Sequence, residues 1–261
     1  MIDTPLTYIS TLIEAYRAGQ ANDHVHLGYW DDLVQHDWET AQCAMTKLHL
    51  GALALQNGHT VVDIGCGLGG SLRMASDLMA AGHLIGVNID PRQLEICTEQ
   101  AIANDNRVSW LLNDACNIQL EDGASDRILS LEAMFHFSSR DAFLSEASRL
   151  LCTGGRLVCS DIQFDAPQTK EEYDLLDCVQ RGYAPWPTPV ITADDVITMA
   201  SDHNLILINH RNLSDCVKPT WDYIAPRSHQ TITSPVGAMA QLHSADRLRY
   251  EIFTFKRTNK S

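Results

Sequence analysis

Basic residues are scarce in this chain: 19 Lys and Arg stand against 33 Asp and Glu, a formal net charge of −14. That field repels polyanions, which excludes DNA, RNA and anionic membrane surfaces as partners unless a local basic patch opposes it. The one basic cluster, Lys256, Arg257 and Lys260, reads as a solvated chain end. Long apolar runs are also absent, and none reaches the ~20 residues that span a bilayer. Met1 to Ser10 has neither the basic region nor the apolar stretch of a secretory signal, so none is expected. The eight cysteines (Cys43, Cys66, Cys97, Cys116, Cys152, Cys159, Cys178 and Cys216) form no C-x-x-C pair. Several lie in strand-like runs such as Leu157-Val158-Cys159, where a free thiol serves as a small hydrophobe. The expectation is a reduced, cytoplasmic protein. Internal repeats and low-complexity tracts are missing as well.

What is present suits a folded α/β chain. Hydrophobic residues at 45 % of 261 can fill a core, and charged residues at 20 % exclude a disordered chain. Leu6, Ile9, Leu12, Ile13 and Tyr16 fall at helical spacing within Pro5 to Gly19. The aromatic stretch His26-Leu27-Gly28-Tyr29-Trp30-Asp31 reads as a loop, and a second helix is expected over Trp38 to Gln56. From His59 the pattern alternates. Strand-like runs cover Thr60–Ile64, Leu84–Ile89, Val108–Leu112, Arg127–Leu131, Gly155–Ser160 and Leu205–Ile208. Amphipathic stretches at Ser71–Ala81, Pro91–Ala103 and Arg140–Leu151 separate most of them. Such alternation predicts a parallel sheet with helices on both faces. The period-two run Arg249 to Phe255 suits an antiparallel strand closing that sheet. Two segments break the rhythm: Gln168 to Thr192, with Ala184-Pro185-Trp186-Pro187-Thr188-Pro189, and Asn212 to Leu248. Both have room to cap the carboxyl edge of the sheet. The division this suggests is an N-terminal helical lid over residues 1–57 and an α/β domain over 58–261, with cap insertions at about 165–203 and 212–247.

The strongest motif is Val61-Val62-Asp63-Ile64-Gly65-Cys66-Gly67-Leu68-Gly69-Gly70, a strand running into a glycine-rich turn and then a helix. Glycine lets the backbone turn sharply and lets a ligand approach without a Cβ in the way. Gly65, Gly67 and Gly70 also satisfy the dinucleotide fingerprint, so spacing alone is ambiguous. Asp63 bears on the choice. A carboxylate two residues before the first glycine opposes a pyrophosphate, whereas S-adenosylmethionine carries a sulfonium and an amino group that a carboxylate favours. After the next strand, Asn88-Ile89-Asp90 places polar groups where a ribose hydroxyl pair needs partners. After the third comes Asn113-Asp114-Ala115, where Asp114 is either an acceptor for an adenine amino group or an ordinary helix cap.

On these motifs the chain resembles the class I S-adenosylmethionine-dependent methyltransferases. More narrowly it resembles their natural-product and tocopherol-type branch, which includes rebeccamycin and mitomycin O-methyltransferases. The carrying residues are His26-Leu27-Gly28-Tyr29-Trp30, the glycine motif, Gly86-Val87-Asn88-Ile89 and Ser130-Leu131-Glu132-Ala133-Met134-Phe135-His136-Phe137. They continue through Leu150 to Leu157 and Ser160-Asp161. The resemblance implies a Rossmann-like, mostly parallel seven-stranded sheet with an antiparallel last strand, a helical N-terminal lid and an inserted cap. It implies S-adenosyl-L-methionine as cofactor, held by Asp63, Gly65, Cys66, Gly67, Gly69, Asn88, Ile89, Gln93, Asp114, Ala115 and Glu132. Relatives often carry an acid where Asn88 stands, which leaves the ribose contacts open. The resemblance also assigns catalysis to His136 and Asp161. A hydroxyl acceptor loses its proton as the carbon–oxygen bond forms, an imidazole near pKa ~6.5 can take it, and a carboxylate can orient the ring. The alternative for His136 is a structural histidine between Phe135 and Phe137, and for Asp161 a strand-end cap or substrate anchor.

Tyr29, Trp30 and Trp186 are the candidate substrate contacts, with lid packing as the alternative for the first two. Tyr173, Tyr183 and Trp221 in the cap add to an aromatic-lined, apolar pocket. His24 and His26 lack a cluster that completes a metal site, so no metal is expected. The expected reaction is methyl transfer to a small-molecule hydroxyl in natural-product biosynthesis, without nucleic acid or membrane partners and with homo-oligomerisation left open. Carbon or nitrogen acceptors, a non-methylating reaction such as cyclisation, and a dehydrogenase are the competing readings.

Overall fold

In the computed structural model of the chain, which describes residues 7–30, 37–224 and 234–259, a seven-stranded sheet runs in the order β3-β2-β1-β4-β5-β7-β6. The strands are β1 (Thr60–Ile64), β2 (His83–Asn88), β3 (Arg107–Leu112), β4 (Ser125–Ser130), β5 (Leu151–Phe164), β6 (Leu205–Asn212) and β7 (Leu248–Arg257). β3, β2, β1, β4 and β5 pair in parallel, and β7 alone runs antiparallel, between β5 and β6. The expected sheet is therefore present, with its antiparallel last strand. The helices are α1 (Thr7–Arg17), α2 (Trp38–Leu53), α3 (Gly70–Leu78), α4 (Pro91–Thr98), α5 (Arg140–Leu150), α6 (Lys170–Gly182), α7 (Ala193–Asp202), α8 (Ser214–Val217), α9 (Pro219–Ile224) and α10 (Pro235–Ser244). Leu6, Asp31 and Lys260 lie outside the described residues. Among the described residues, no helix is long and apolar enough to cross a membrane.

The period of two along each strand divides the core. Val61, Leu84, Leu129 and Val158 face α2 and α3, joining Leu50, Leu53, Leu72 and Ala75. Val62, Ile64, Ile128 and Leu157 face the other way, onto Phe143 and Leu144 of α5 and Val196 and Ala200 of α7. Burial of Val, Leu and Phe side chains contributes ~1.5–3 kcal/mol each and locks the register. α2 is thus part of a sheet face rather than of a lid. α1, through Tyr8, and the segment after it, through Asp23 to His26, lie at the site. Lys256 and Arg257 are likewise corrected: they belong to β7 rather than to a free tail.

A third apolar cluster forms the cap. α6, α8, α9 and α10 bring Leu176, Val179, Val217, Trp221 and Met239 onto Ile162, Phe164, Tyr250 and Ile252 of β5 and β7. α6 begins cleanly because the Thr169 side chain accepts from Glu172 N and acidic residues fill its first turn. The strand order reverses at β1, between β2 and β4, so a crevice opens at the carboxyl ends of β1 and β4. The cap closes over that edge.

Candidate active site

β1 delivers the chain into Gly65, Gly67 and Gly69 at φ of +80, +55 and +88°, conformations that L side chains rarely adopt. Space is as restrictive as conformation. A Cβ on Gly65 would stand 2.4 Å from Ala133 Cβ, and one on Gly67 would stand 2.7 Å from Val25 Cγ2. Together with Asp23, His24, Val25 and His26, this turn lines a narrow cleft.

Asp63 also faces that cleft. It is 1 % exposed and has no hydrogen-bond or ion-pair partner among the described residues. Burial alone pushes its carboxyl up to about 7. A buried, unpartnered carboxylate in a cleft calls for a cation, and S-adenosylmethionine brings an ammonium and a sulfonium. The glycine cradle and Asp63 therefore fit that cofactor, and they fit a pyrophosphate poorly.

Other cofactor candidates surround this point. Asn88, at the end of β2, spends its polar atoms on the protein: Nδ2 donates to Gln93 Oε1 at 2.9 Å and to the Gly67 carbonyl at 3.4 Å, and Oδ1 accepts from Asp90 N at 3.0 Å. Gln93 Nε2 has no partner among the described residues. Ile89 is half exposed beside them, Ala115 is buried, and Asp114 Oδ1 accepts from Cys116 N at 2.8 Å. Cys66 and Cys97 are free thiols behind the loop, both directed at the Gly67 carbonyl.

Glu132 follows β4 in the left-handed region, at φ +52°, a strained place for a non-glycine residue. Its backbone N donates to Ser160 Oγ at 2.9 Å, while its carboxylate accepts from Leu27 N at 2.7 Å and from Tyr250 Oη at 3.1 Å. Burial pushes this carboxyl up to about 8, against the effect of those donors. Glu132 thereby anchors the segment between α1 and α2 to the sheet.

His136 lies on a single 3₁₀ turn, Met134–His136, directly after β4. Its Nδ1 is 2.9 Å from the Pro185 carbonyl and its Nε2 is 2.7 Å from Tyr8 Oη. A carbonyl only accepts, so Nδ1 carries the proton, and the Nε2 lone pair accepts from the Tyr8 hydroxyl. Phe135 and Tyr8 lie against the ring, with Trp186 edge-on at 6.0 Å; Trp186 itself stacks on Phe135 at 4.3 Å, and Tyr183 meets Tyr8 edge-on at 5.2 Å. Burial pulls the imidazole down to about 4, so it is neutral at physiological pH.

Two expectations need correction. Asp161 does not orient His136. Its oxygens take Arg140 Nε at 2.8 Å and Arg140 Nη2 at 3.0 Å, with Gln163 Nε2 at 3.1 Å, in a fully buried ion pair. The Pro185 carbonyl orients the ring instead. Trp30 is not in the chamber beside His136: its Nε1 donates to Thr220 Oγ1 at 2.9 Å, and its ring lies against Trp38 and Tyr223. Tyr29 packs against the cap cluster that holds Phe135 and Trp186, as lid packing would have it. Trp221 is bound to His243 in that cluster, and Tyr173 is exposed.

Sequence reasoning missed Tyr8, Arg140, Ser160 and Tyr250. Arg140 alone left a readable sign, a cation at the first position of a helix, where the dipole disfavours it. His24 and His26 form a neutral relay: His26 Nδ1 donates to the Leu27 carbonyl at 2.9 Å, Thr46 Oγ1 donates to His26 Nε2 at 3.0 Å, and His24 Nδ1 donates to Thr46 at 3.2 Å. Burial draws His26 down to about 3. Among the described residues, no group of side chains has metal-site composition.

A methyltransferase-domain family model matches residues 62–159, from β1 into β5. The chain is similar to methyltransferase GfsG of Streptomyces halstedii, 29 % identical over 78 % of this chain and 73 % of that one. It is similar to 27-O-demethylrifamycin SV methyltransferase of Amycolatopsis mediterranei, 28 % identical over 78 % and 75 %. Among solved structures, mycolic acid cyclopropane synthase CmaA1 with S-adenosylhomocysteine shares the fold, with a TM-score of 0.79 over 96 % of this chain and 95 % of that one at 20 % identity.

Proposed function

We propose, for a chain whose sheet, glycine-rich turn and domain match make it an S-adenosylmethionine-dependent class I methyltransferase, that the acceptor is a hydroxyl group of an uncharged, largely apolar small molecule of secondary metabolism. The observation that carries this reading is the state of His136. A neutral imidazole, its proton held on Nδ1 by the Pro185 carbonyl, offers the Nε2 lone pair to a hydroxyl inside an aromatic chamber. The Tyr8 hydroxyl, 2.7 Å from Nε2, occupies the position that this reading gives to the acceptor hydroxyl. The named relatives are in keeping with this, since one of them is by name a 27-O-demethylrifamycin SV methyltransferase.

When bound, S-adenosylmethionine supplies a methyl group on a sulfonium, open to in-line displacement. The chain's own residues do the rest. Asp63 would hold the cofactor's cationic end, the Gly65–Gly69 turn would admit it without a Cβ in the way, and Gln93 Nε2 would be the donor left for the ribose. Ile89 and Asp114 would hold the adenine end, the first through apolar contact and the second as an acceptor. His136 Nε2 accepts the acceptor's proton as the new bond forms, which contributes ~10²–10⁴-fold for a positioned base. Phe135, Trp186, Tyr183 and Tyr8 exclude water. The Arg140 charge near the chamber is neutralised by Asp161, which leaves little to bind a diphosphate or phosphate acceptor.

The test is methyl transfer from labelled cofactor to paired hydroxyl and amine acceptors of similar size, with the parent chain and with His136→Ala. Transfer to the hydroxyl member that falls at least a hundredfold in the variant supports the reading. An unaffected rate, or transfer to the amine or to carbon, removes the base from the reaction.

A further inference from the structure

The segment from Pro185 to Val190 is held by its carbonyl groups. Pro185, Pro187 and Pro189 have no N–H, so the segment cannot pair fully as a strand. Four elements catch its carbonyls in turn. Pro185 accepts from His136 Nδ1 at 2.9 Å, Trp186 from Gln180 Nε2 of α6 at 3.1 Å, Thr188 from Arg140 Nη1 at 2.7 Å, and Pro189 from Phe164 N of β5 at 2.9 Å. The acceptor that fixes the imidazole and the acceptor that Arg140 holds are therefore three residues apart on one short, proline-stiffened segment.

Arg140 opens α5, where the unpaired N–H groups of the first turn disfavour a cation, and it is buried. Asp161 offsets that charge from the end of β5 through a two-point fork. A buried pair of this kind adds little stability over apolar residues of the same size. What it adds is a fixed guanidinium direction, and the nitrogen outside the fork, Nη1, reaches Thr188.

We propose that Arg140, held by Asp161, is a positioning residue for His136: by fixing the Thr188 carbonyl it fixes the Pro185 carbonyl, which keeps the imidazole proton on Nδ1 and turns the Nε2 lone pair toward the acceptor. Asp161 thereby acts on the base at one remove. This rests on the reading of His136 as the base, and its test reads the imidazole without turnover.

The experiment uses the full chain with nitrogen-15 histidine, and long-range proton–nitrogen correlation of the ring nitrogens, with His136→Asn to assign the signal. The parent protein shows His136 as the Nδ1–H tautomer. Arg140→Lys keeps the charge but cannot span both Asp161 oxygens and Thr188. Arg140→Gln with Asp161→Asn removes the pair without stranding a charge. Each variant is expected to show mixed tautomers and a turnover ~10–100-fold lower at unchanged cofactor KM, as for a misaligned reacting group. A pure Nδ1–H signal in folded Arg140→Lys overturns the proposal, as does an Nε2–H tautomer in the parent. Should the double variant fail to fold, Arg140→Lys decides alone. Failure of the base reading shows elsewhere, as full turnover in His136→Ala.

Discussion

Replacing Asp63 by Asn is expected to make the ligand-free protein more stable while abolishing cofactor binding. Asp63 is buried without a partner, and its carboxyl is pushed from the ordinary 3.8 up to about 7. The unfolded chain therefore ionises first as pH rises. Stability is lost between about pH 4 and pH 7, and the full cost stands above that. Three pH units at about 1.4 kcal/mol each make this cost about 4 kcal/mol at pH 8. An unpaired buried amide gives back ~1–3 kcal/mol of it. The net gain for Asp63→Asn is about 1–3 kcal/mol, or ~2–10 °C in Tm for a chain of this length. At pH 4 the ionisation cost is gone and only the amide cost remains, so the variant is then less stable than the parent by ~1–3 kcal/mol. Thermal melts at pH 4 and pH 8 measure this directly, with and without S-adenosylhomocysteine. The ligand at a hundredfold its Kd raises the parent by ~2.7 kcal/mol and leaves the variant unmoved. A variant less stable than the parent at pH 8, or one still stabilised by the ligand, refutes the reasoning that this carboxylate waits for a cation.

Further expectations concern the base and its neighbours. The acid limb of kcat/KM is expected near pH 4, because burial draws His136 down to about 4 and activity is lost as pH falls through that value. Tyr8, Phe135 and Trp186 face the ring and Arg140 acts on it through space, and of these only Arg140 carries charge in that range; a limb near 6.5 would contradict the lowered imidazole. Tyr8→Phe frees Nε2 from a competing hydroxyl, so the acceptor KM falls about fivefold, the worth of ~1 kcal/mol; steady-state kinetics reads this, and a raised KM is the contrary result. Gly65→Ala forces a left-handed alanine with its Cβ 2.4 Å from Ala133, which costs roughly 2–5 kcal/mol in denaturant unfolding. Glu132→Gln keeps the shape but weakens the hold on Leu27 N, so amide exchange over residues 24–30 quickens while exchange in β1 and β4 does not.

The sheet was legible because its signals are local. Strand runs in Val, Ile and Leu, the glycine spacing of 65, 67 and 69, and the period-two run before Phe255 all act within a few residues, and they recur as β1 to β7. Helix ends were less so: the stretch from Pro91 stops at Thr98 rather than Ala103, with Asn104 and Asp105 at positive φ beyond it. The partners of the site residues were not legible, because they depend on which distant elements the sheet order brings together. Asp161 and His136 are both near strand ends, but Arg140 comes between them in function, and the oxygen that fixes the ring is a backbone carbonyl of Pro185, which no side-chain pattern announces. Trp30 looked like a substrate contact because its π face could close over a sulfonium or substrate. Its indole instead finds Thr220, 190 positions away in sequence. α2 has the composition of any amphipathic helix, and only the burial of Leu50 and Leu53 against Val61 and Leu129 assigns it to the sheet.

The measurement that bears most directly on the account is calorimetric titration of the purified chain with S-adenosylhomocysteine, with NAD as control. The charge of Asp63 and the glycine cradle predict micromolar binding of the first and none of the second. Binding of NAD, or no binding of S-adenosylhomocysteine, would contradict the assignment of the cleft.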